Sequence, residues 1–489
     1  MSDMTTLHYI NAKAVSSENN AIAESFNPNN GELVGTFADG GRREAEAAAE
    51  SARHAFFASD WAQQPRQRAA VLLAFAEGVE KRQRELATLM AQETGKLFKA
   101  AWAELSGTVS ELRFYAGLAR TIFGRTTEVE PGSLSLLMRE PAGVAGIIVP
   151  WNAPAILLVR SLAPAMAAGC TSVVKLSPQS ALFQSALLQC LAEIDSLPAG
   201  VVNWFAETGR QGGEALVDSP HVDVISFTGS SPVGQAIMAS AAPTLKRLNL
   251  ELGGKAPCVV CADADPQAIA PRLAAAATIA SGQQCTAADR VLVHESLLDP
   301  MRDALVSALR AIRVGSAMAE DSQMGPLIDC ESRDRIRQRV DQSRADGEVI
   351  LEGDIPAHTP EGGAFLSPSL VEVEDVNSPC IQEEFFGPIL NLESFDTDEE
   401  AVSRANVSRF GLAASVWTHD GARAMRISRA LRSGTVWIND HNKLFPEAET
   451  GGFGASGFGR LHGAEAMMEF LETKHVYQDV GRIKGADFD

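Results

Sequence analysis

The chain has 489 residues, and its 62 acidic against 42 basic side chains leave a formal charge of −20. That balance provides no basic stripe to displace the counterions of a nucleic acid or to hold an anionic membrane, which excludes both as main partners. With 45% hydrophobic and 21% charged residues, the length predicts two or three ordinary globular domains that need no disulfide or structural metal to fold.

The first 40 residues are polar and rich in turn formers, among them Asn27, Pro28, Gly31 and Gly35. Helical periodicity runs from Arg42 to Phe57 and from Arg66 to Thr94, with Gly95 where a C-cap belongs, and a third helix is predicted from about 99 to 123. After Glu140 short apolar runs alternate with helical stretches. The predicted strands are 142–149, 172–176, 201–206 and 222–229, followed in turn by helices near 154–169, 180–195, 211–218 and 232–242. Strands without polar alternation, each followed by a helix, indicate a parallel sheet covered on both faces. A second such series opens with RLNLELGG (247–254) and PCVVCAD (257–263). It continues through a helix near 266–280, RVLVHE (290–295), a helix near 298–312, and GTVWIND (434–440). The expected switch between the two doubly wound units lies near 248.

No targeting signal is read. The start, MSDMTTLHYINAKA, has neither a basic n-region nor an apolar h-region. The longest apolar stretch, 143–169, is interrupted by Pro150, Pro154, Pro164 and Arg160, whereas a membrane span needs about 20 uninterrupted apolar residues. Seven scattered cysteines fit reduced thiols in a cytoplasm. The lone CxxC of Cys258 and Cys261 reads as part of a buried strand, and no metal site is expected.

Several residues carry chemistry. Cys285, in SGQQCTAADR, is placed after a small-residue helix, and Gly282, Thr286 and Ala287 leave room for a substrate to approach the sulfur. Glu251 ends an apolar strand before two glycines, which let a backbone pass close to a ligand. A carboxylate desolvated there has a raised pKa and suits general-base work; the structural alternative is a salt bridge to Lys255. Asn152, in VPWNAP, has a side-chain amide able to donate to a developing oxyanion. FTGSSPVG (227–234) follows a strand and opens a helix, so Gly229, Ser230 and Gly234 suit a phosphate at a helix N-terminus. Lys175 ends the strand SVVKL, within reach of a ribose hydroxyl. EEFFGPIL (383–390) sets two acids before an aromatic pair.

Together PWN (150–152), VVK (173–175), FTGS with Gly234, ELGGK (251–255), GQQC (282–285), MGPLI (324–328), EEFFGPIL, GTVWIN (434–439) and GGFGASGFGR (451–460) resemble the NAD(P)-dependent aldehyde dehydrogenases, in that family's order and close to its spacing. The resemblance implies an α/β fold of two doubly wound parallel-sheet domains plus a β-arm that makes homodimers or homotetramers. It implies a cofactor domain over 1–119 and 140–248, a catalytic domain over 249–450, and an oligomerisation arm over 120–139 and 472–489. Cys285 would be the nucleophile, Glu251 the base, and Asn152 with the Cys285 N–H the oxyanion hole. Trp151, Lys175, Ser177, Gly229, Ser230, Gly234, Leu252, Glu384 and Phe386 would hold NAD or NADP. Oxidation of an aldehyde to an acid then passes through a thiohemiacetal and a thioester. A CoA-acylating dehydrogenase, or a catalytically silent protein on the same fold, are the alternatives; the retained Glu251 counts against the first and the retained triad against the second.

Three positions depart from the family pattern. Pro178 stands where a glutamate often binds the adenosine ribose, which predicts relaxed choice between NAD and NADP. Glu207 stands for a glycine and Gly454 for a lysine. Arg160, eight residues after Asn152, stands where an aromatic is common but where succinate-semialdehyde dehydrogenases carry an arginine. With Ala153 widening the tunnel and His441, Asn442 and Lys443 expected at its mouth, the predicted substrate is an aldehyde with an anionic far end.

Overall fold

The computed structural model describes residues 5–482; the remaining ends of the first domain and of the predicted arm lie outside the described residues. Five parallel strands form the centre of the first sheet, in the order Val202–Ala206, Thr171–Leu176, Val144–Ile148, Val224–Thr228 and Arg247–Glu251. His8–Ile10 extends one edge antiparallel and Gly457–Phe458 the other. Apolar residues predominate in these strands because both faces are covered. On one side pack the helices Pro65–Lys81, Phe98–Leu118, Ile156–Ala168 and Ala181–Ala192. On the other lie Arg42–Ala58, Gln211–Asp218 and Ser231–Ala241.

The second sheet runs Ser369–Glu372, Ile389–Phe395, Ala288–His294, Ala256–Val260, Ala413–Trp417 and Thr435–Ile438, all parallel, with Glu348–Leu351 antiparallel at one edge. The crossover between sheets falls between Glu251 and Ala256, a few residues later than expected near 248. Strand Arg247–Glu251 hydrogen-bonds along its length to Val224–Thr228 and so closes the first sheet.

Other boundaries also shift. The predicted helix over 66–94 breaks at Arg82 into Pro65–Lys81 and Gln83–Thr94. The break turns Leu86 and Met90 onto the same core as Leu72 and Phe75. Gly95 is the expected left-handed C-cap, at φ +72°. The next helix stops at Leu118 rather than 123. Helix Cys330–Ser343 was not expected, because Ile336 and Val340 are its only buried aliphatic residues and the rest is largely charged.

Ser133–Pro141 pairs antiparallel with Leu471–Asp479, from Leu471 opposite Pro141 to Asp479 opposite Ser133, and Arg125–Thr127 adds a third strand. Glu472 to Asp479 is exposed along its whole length.

Candidate active site

Where the strand Arg247–Glu251 of the first sheet ends and the strand Thr435–Ile438 of the second begins lies a cavity of about 150 Å³ whose wall includes Asn152, Arg160, Glu251 and Cys285. Cys285 is not carried by a helix. The helix from Pro266 ends at Ala277, and Ala280, Ser281 and Gly282 then take φ values of +47°, +58° and +74°. Three consecutive left-handed residues reverse the chain sharply. The MGPLI segment anchors the turn: Ser281 Oγ donates to the carbonyls of Gly325 and Pro326, and Ile328 N donates to Gln283 Oε1 at 3.0 Å. Burial pushes the Cys285 thiol up to about 12; Arg160 opposes the shift, while Glu384 and Glu251 add to it.

Asn152 follows the strand Val144–Ile148, and its Nδ2 donates to the carbonyl of Gln283 at 2.9 Å, two residues before the cysteine. Glu104, buried beside Lys96, accepts from Ala155 N and Ile156 N at 2.8 and 3.2 Å. It thereby caps the helix that carries Arg160.

Glu251 is 3% exposed, and its Oε1 is buried without a hydrogen-bond partner. Burial raises its carboxyl from 4.5 to about 7, against the pull of Arg160 and Arg460. It does not bond Lys255, which instead pairs with Asp289 at 2.6 Å. The two glycines after Glu251 have a steric cause. A Cβ at Gly253 would lie 2.2 Å from the Glu384 carboxylate, and one at Gly254 would lie 2.3 Å from the Cys285 carbonyl oxygen. Gly254 N donates to Glu384 Oε1 at 3.0 Å, and burial raises Glu384 to about 7.

The remaining residues expected to hold a cofactor fall into three groups, around Trp151 and Phe386, around Gly229, Ser230 and Gly234, and around Lys175 and Ser177. Trp151 and Phe386 meet edge to face at 5.7 Å, with Phe386 at φ +57°. Ser230 precedes the helix Ser231–Ala241 without capping it through its side chain, which leaves the N–H groups of Ser231 and Val233 for an anion, Pro232 between them having none. Gly229 N is bound to the Glu251 carbonyl. Gly234 differs from expectation: its N–H is spent on Ser230 O, and a Cβ there would strike Leu252 at 2.6 Å. Its place is close packing of helix on strand. Lys175 Nζ lies 3.8 Å from Glu207 Oε1, and Ser177 Oγ donates to Gln179. An uncapped helix start, buried carboxylates and a lysine at the carboxyl ends of parallel strands fit a dinucleotide.

Arg160 is 5% exposed. Its Nη2 lies 3.3 Å from Thr228 Oγ1 and 3.9 Å from Glu251 Oε2, and its Nε is buried without a partner. His441 is not at the tunnel mouth. It is buried, with Nε2 2.8 Å from the Thr286 carbonyl and Nδ1 3.0 Å from Ser415 Oγ, and burial lowers it to about 4. Asn442 Oδ1 accepts from Gln284 and Thr286, and Lys443 is exposed. Leu444, Phe445 and Pro446 line the cavity instead. Sequence reasoning also missed a buried pair on the cavity wall, His462 Nδ1 at 2.9 Å from the Glu111 carboxylate. Its signal was a glutamate on the apolar stripe of Leu105, Thr108, Leu112 and Tyr115.

Among the described residues no group of three or more His, Cys, Asp or Glu is placed to hold a metal ion. No described helix is long and apolar enough to cross a membrane, and all seven cysteines are free.

The aldehyde dehydrogenase family model matches residues 14–476. A betaine aldehyde dehydrogenase of Bacillus subtilis is 35% identical over 480 residues, covering 97% of this chain and 98% of the relative. A (Z)-2-((N-methylformamido)methylene)-5-hydroxybutyrolactone dehydrogenase of Acinetobacter baylyi is 35% identical over 475 residues, 96% of each chain. The crystal structure of betaine aldehyde dehydrogenase from Staphylococcus aureus in complex with NAD+ superposes with a TM-score of 0.95 at 32% identity, covering 99% of this chain and 97% of that one. The chain belongs to the aldehyde dehydrogenase family, and it is an oxidoreductase acting on aldehydes.

Proposed function

We propose that this protein oxidises an aldehyde with an anionic far end to its carboxylic acid, using NAD+. Cys285 Sγ passes its proton to solvent water and attacks the aldehyde carbon as the thiolate. The carbonyl oxygen becomes an oxyanion held by Asn152, whose Nδ2 has a second N–H beyond the one given to Gln283, and by the Cys285 N–H. The cofactor, when bound, supplies the hydride acceptor. Glu251 then takes a proton from water at Oε1, the oxygen left without a partner. The hydroxide formed displaces the thiolate from the thioester and releases the acid. A raised carboxyl near 7 is matched to this task at neutral pH. Lys175 and Ser177 would hold the adenosine ribose, Ser230 and Gly229 the pyrophosphate path, and Glu384 the nicotinamide ribose. Trp151, Phe386 and Leu252 would pack around the ring.

The observation that carries the substrate class is Arg160. It is a buried guanidinium on the cavity wall with one hydrogen bond, to Thr228, one loose carboxylate contact, and an unpartnered Nε. A guanidinium with unused donors is completed by a substrate carboxylate. A quaternary ammonium fits less well, since among the described residues Phe445 is the one aromatic ring of the carbocyclic or indole kind on that wall and such cations want an aromatic cage. The test compares kcat/KM for succinic semialdehyde with that for an uncharged aldehyde of similar length, in wild type and Arg160→Leu. Any effect on Glu251 is common to both substrates and cancels in the ratio. A wild-type preference for the anion of about tenfold or more, lost in the variant, is expected; an unchanged ratio refutes the anion site.

The exposed strand Leu471–Asp479 and its partners form an arm suited to pairing copies of the chain as a homodimer or homotetramer. Seven free thiols suit a cytoplasmic location.

A further inference from the structure

Two departures from the family pattern, Pro178 and Glu207, meet at one place. Lys175 and Leu176 lie opposite Phe205 and Ala206 on adjacent parallel strands. Ser177 and Glu207 therefore leave the sheet side by side at its carboxyl edge, where doubly wound folds bind ligands. Pro178 and Thr208, the next residues on each strand, line one cavity of about 320 Å³. Pro178 removes a carboxylate from this edge, and Glu207 brings one in from the neighbouring strand.

Glu207 is held firmly. Its side chain is 1% exposed, with Oε1 3.8 Å from Lys175 Nζ. Gly212 N and Gly213 N, the opening N–H groups of helix Gln211–Asp218, donate to its two oxygens at 2.7 and 2.8 Å. Those N–H groups are what a helix start offers to a phosphate; here the chain's own carboxylate fills the position. The lysine that would pair with a phosphate is compensated too. Burial lowers the Lys175 pKa, while Glu207 and Asp39 act to raise it. Asp39 itself accepts from Thr208 N and Oγ1 at 2.7 and 2.6 Å. The edge thus holds one cation against two carboxylates. The nearby cations Arg42, Arg43 and Arg210 are exposed and turned to Glu46, Glu18 and Glu214.

We infer that Glu207 is the cofactor-specificity residue of this protein, standing in for the ribose carboxylate missing at Pro178 and excluding the 2′-phosphate of NADP. The inference rests on the dinucleotide reading above. It reverses the relaxed cofactor choice that Pro178 alone suggests: the one carboxylate charge that Lys175 leaves unbalanced between Glu207 and Asp39, about 5 Å from a phosphate, costs roughly two powers of ten in affinity at a surface-like dielectric.

The experiment measures binding by calorimetry and thermal shift for 5′-AMP, adenosine 2′,5′-bisphosphate, NAD+ and NADP+, in wild type, Glu207→Gln and Glu207→Gly. Wild type should bind 5′-AMP at least about tenfold more tightly than the bisphosphate, and NAD+ over NADP+ by about a hundredfold. Both ratios should fall about tenfold or more in the variants. Equal binding of the two fragments by wild type, or ratios unchanged in a folded variant, overturns the role of Glu207. The wild-type ratio decides even if a variant fails to fold. If neither 5′-AMP nor NAD+ binds, the dinucleotide reading fails as well, which separates the two claims.

Discussion

Replacing Glu251 by glutamine removes a base and, at the same time, a buried ionisable group. The carboxyl stands at about 7 instead of 4.5 because burial disfavours its charge more than Arg160 and Arg460 favour it. On that titration roughly a tenth of the wild type has the base form at pH 6 and nine-tenths at pH 8, so thioester hydrolysis rises about tenfold across that range. Glutamine cannot accept the proton from water. Steady turnover should fall by about 10² to 10⁴, while rapid mixing still records a burst of reduced cofactor close to one equivalent per site. The same substitution has a stability signature. A carboxyl whose pKa is raised by folding binds its proton more tightly in the folded state. Its contribution is therefore full below 4.5 and is lost as pH rises through about 7. The loss amounts to about 3 kcal/mol above that range. Glu251→Gln should thus melt above wild type at pH 8.5 and show little of that advantage at pH 5, by calorimetry on both proteins. Steady turnover within threefold of wild type, or a melting difference independent of pH, refutes the reasoning.

Asn152→Ala removes the side-chain donor to the oxyanion and the bond to Gln283 O at 2.9 Å. The expected loss in kcat is about 10² to 10³, with a smaller change in KM, measured by steady-state kinetics on an uncharged aldehyde. Arg290 and Glu393 form a bidentate pair at 2.7 and 2.9 Å with side chains 0% and 1% exposed, and neither lines the cavity. Arg290→Met leaves the buried carboxylate with only the loose Arg404 contact at 3.9 Å and should cost about 3–5 kcal/mol; the double change Arg290→Met with Glu393→Leu should recover most of it. Chemical denaturation checks both, and a single variant as stable as wild type counts against the pair.

The alternation of apolar runs with amphipathic stretches from Gly143 onward placed the parallel strands, because burial on both faces writes itself into composition. Cys285, Glu251 and Asn152 were legible for a related reason: each stands beside glycines, prolines or small residues that break the local pattern. Helix Cys330–Ser343 was not legible, since its apolar face is narrow. The path into Cys285 reads as helix, since the alanine-rich run before it continues into ATIASG; anchoring by Gly325, Pro326 and Ile328 holds three left-handed residues there. His441 looked like a polar group at a tunnel mouth, yet Ser415 and the Thr286 carbonyl draw it into the interior. Glu207 looked like an unexplained change of glycine. Its meaning depends on Lys175, 32 positions earlier in the chain, and on strand register that sets the two side by side. Local pattern reports which face of an element is buried. It does not report which distant charge shares the burial, because that pairing exists only once the sheet has closed.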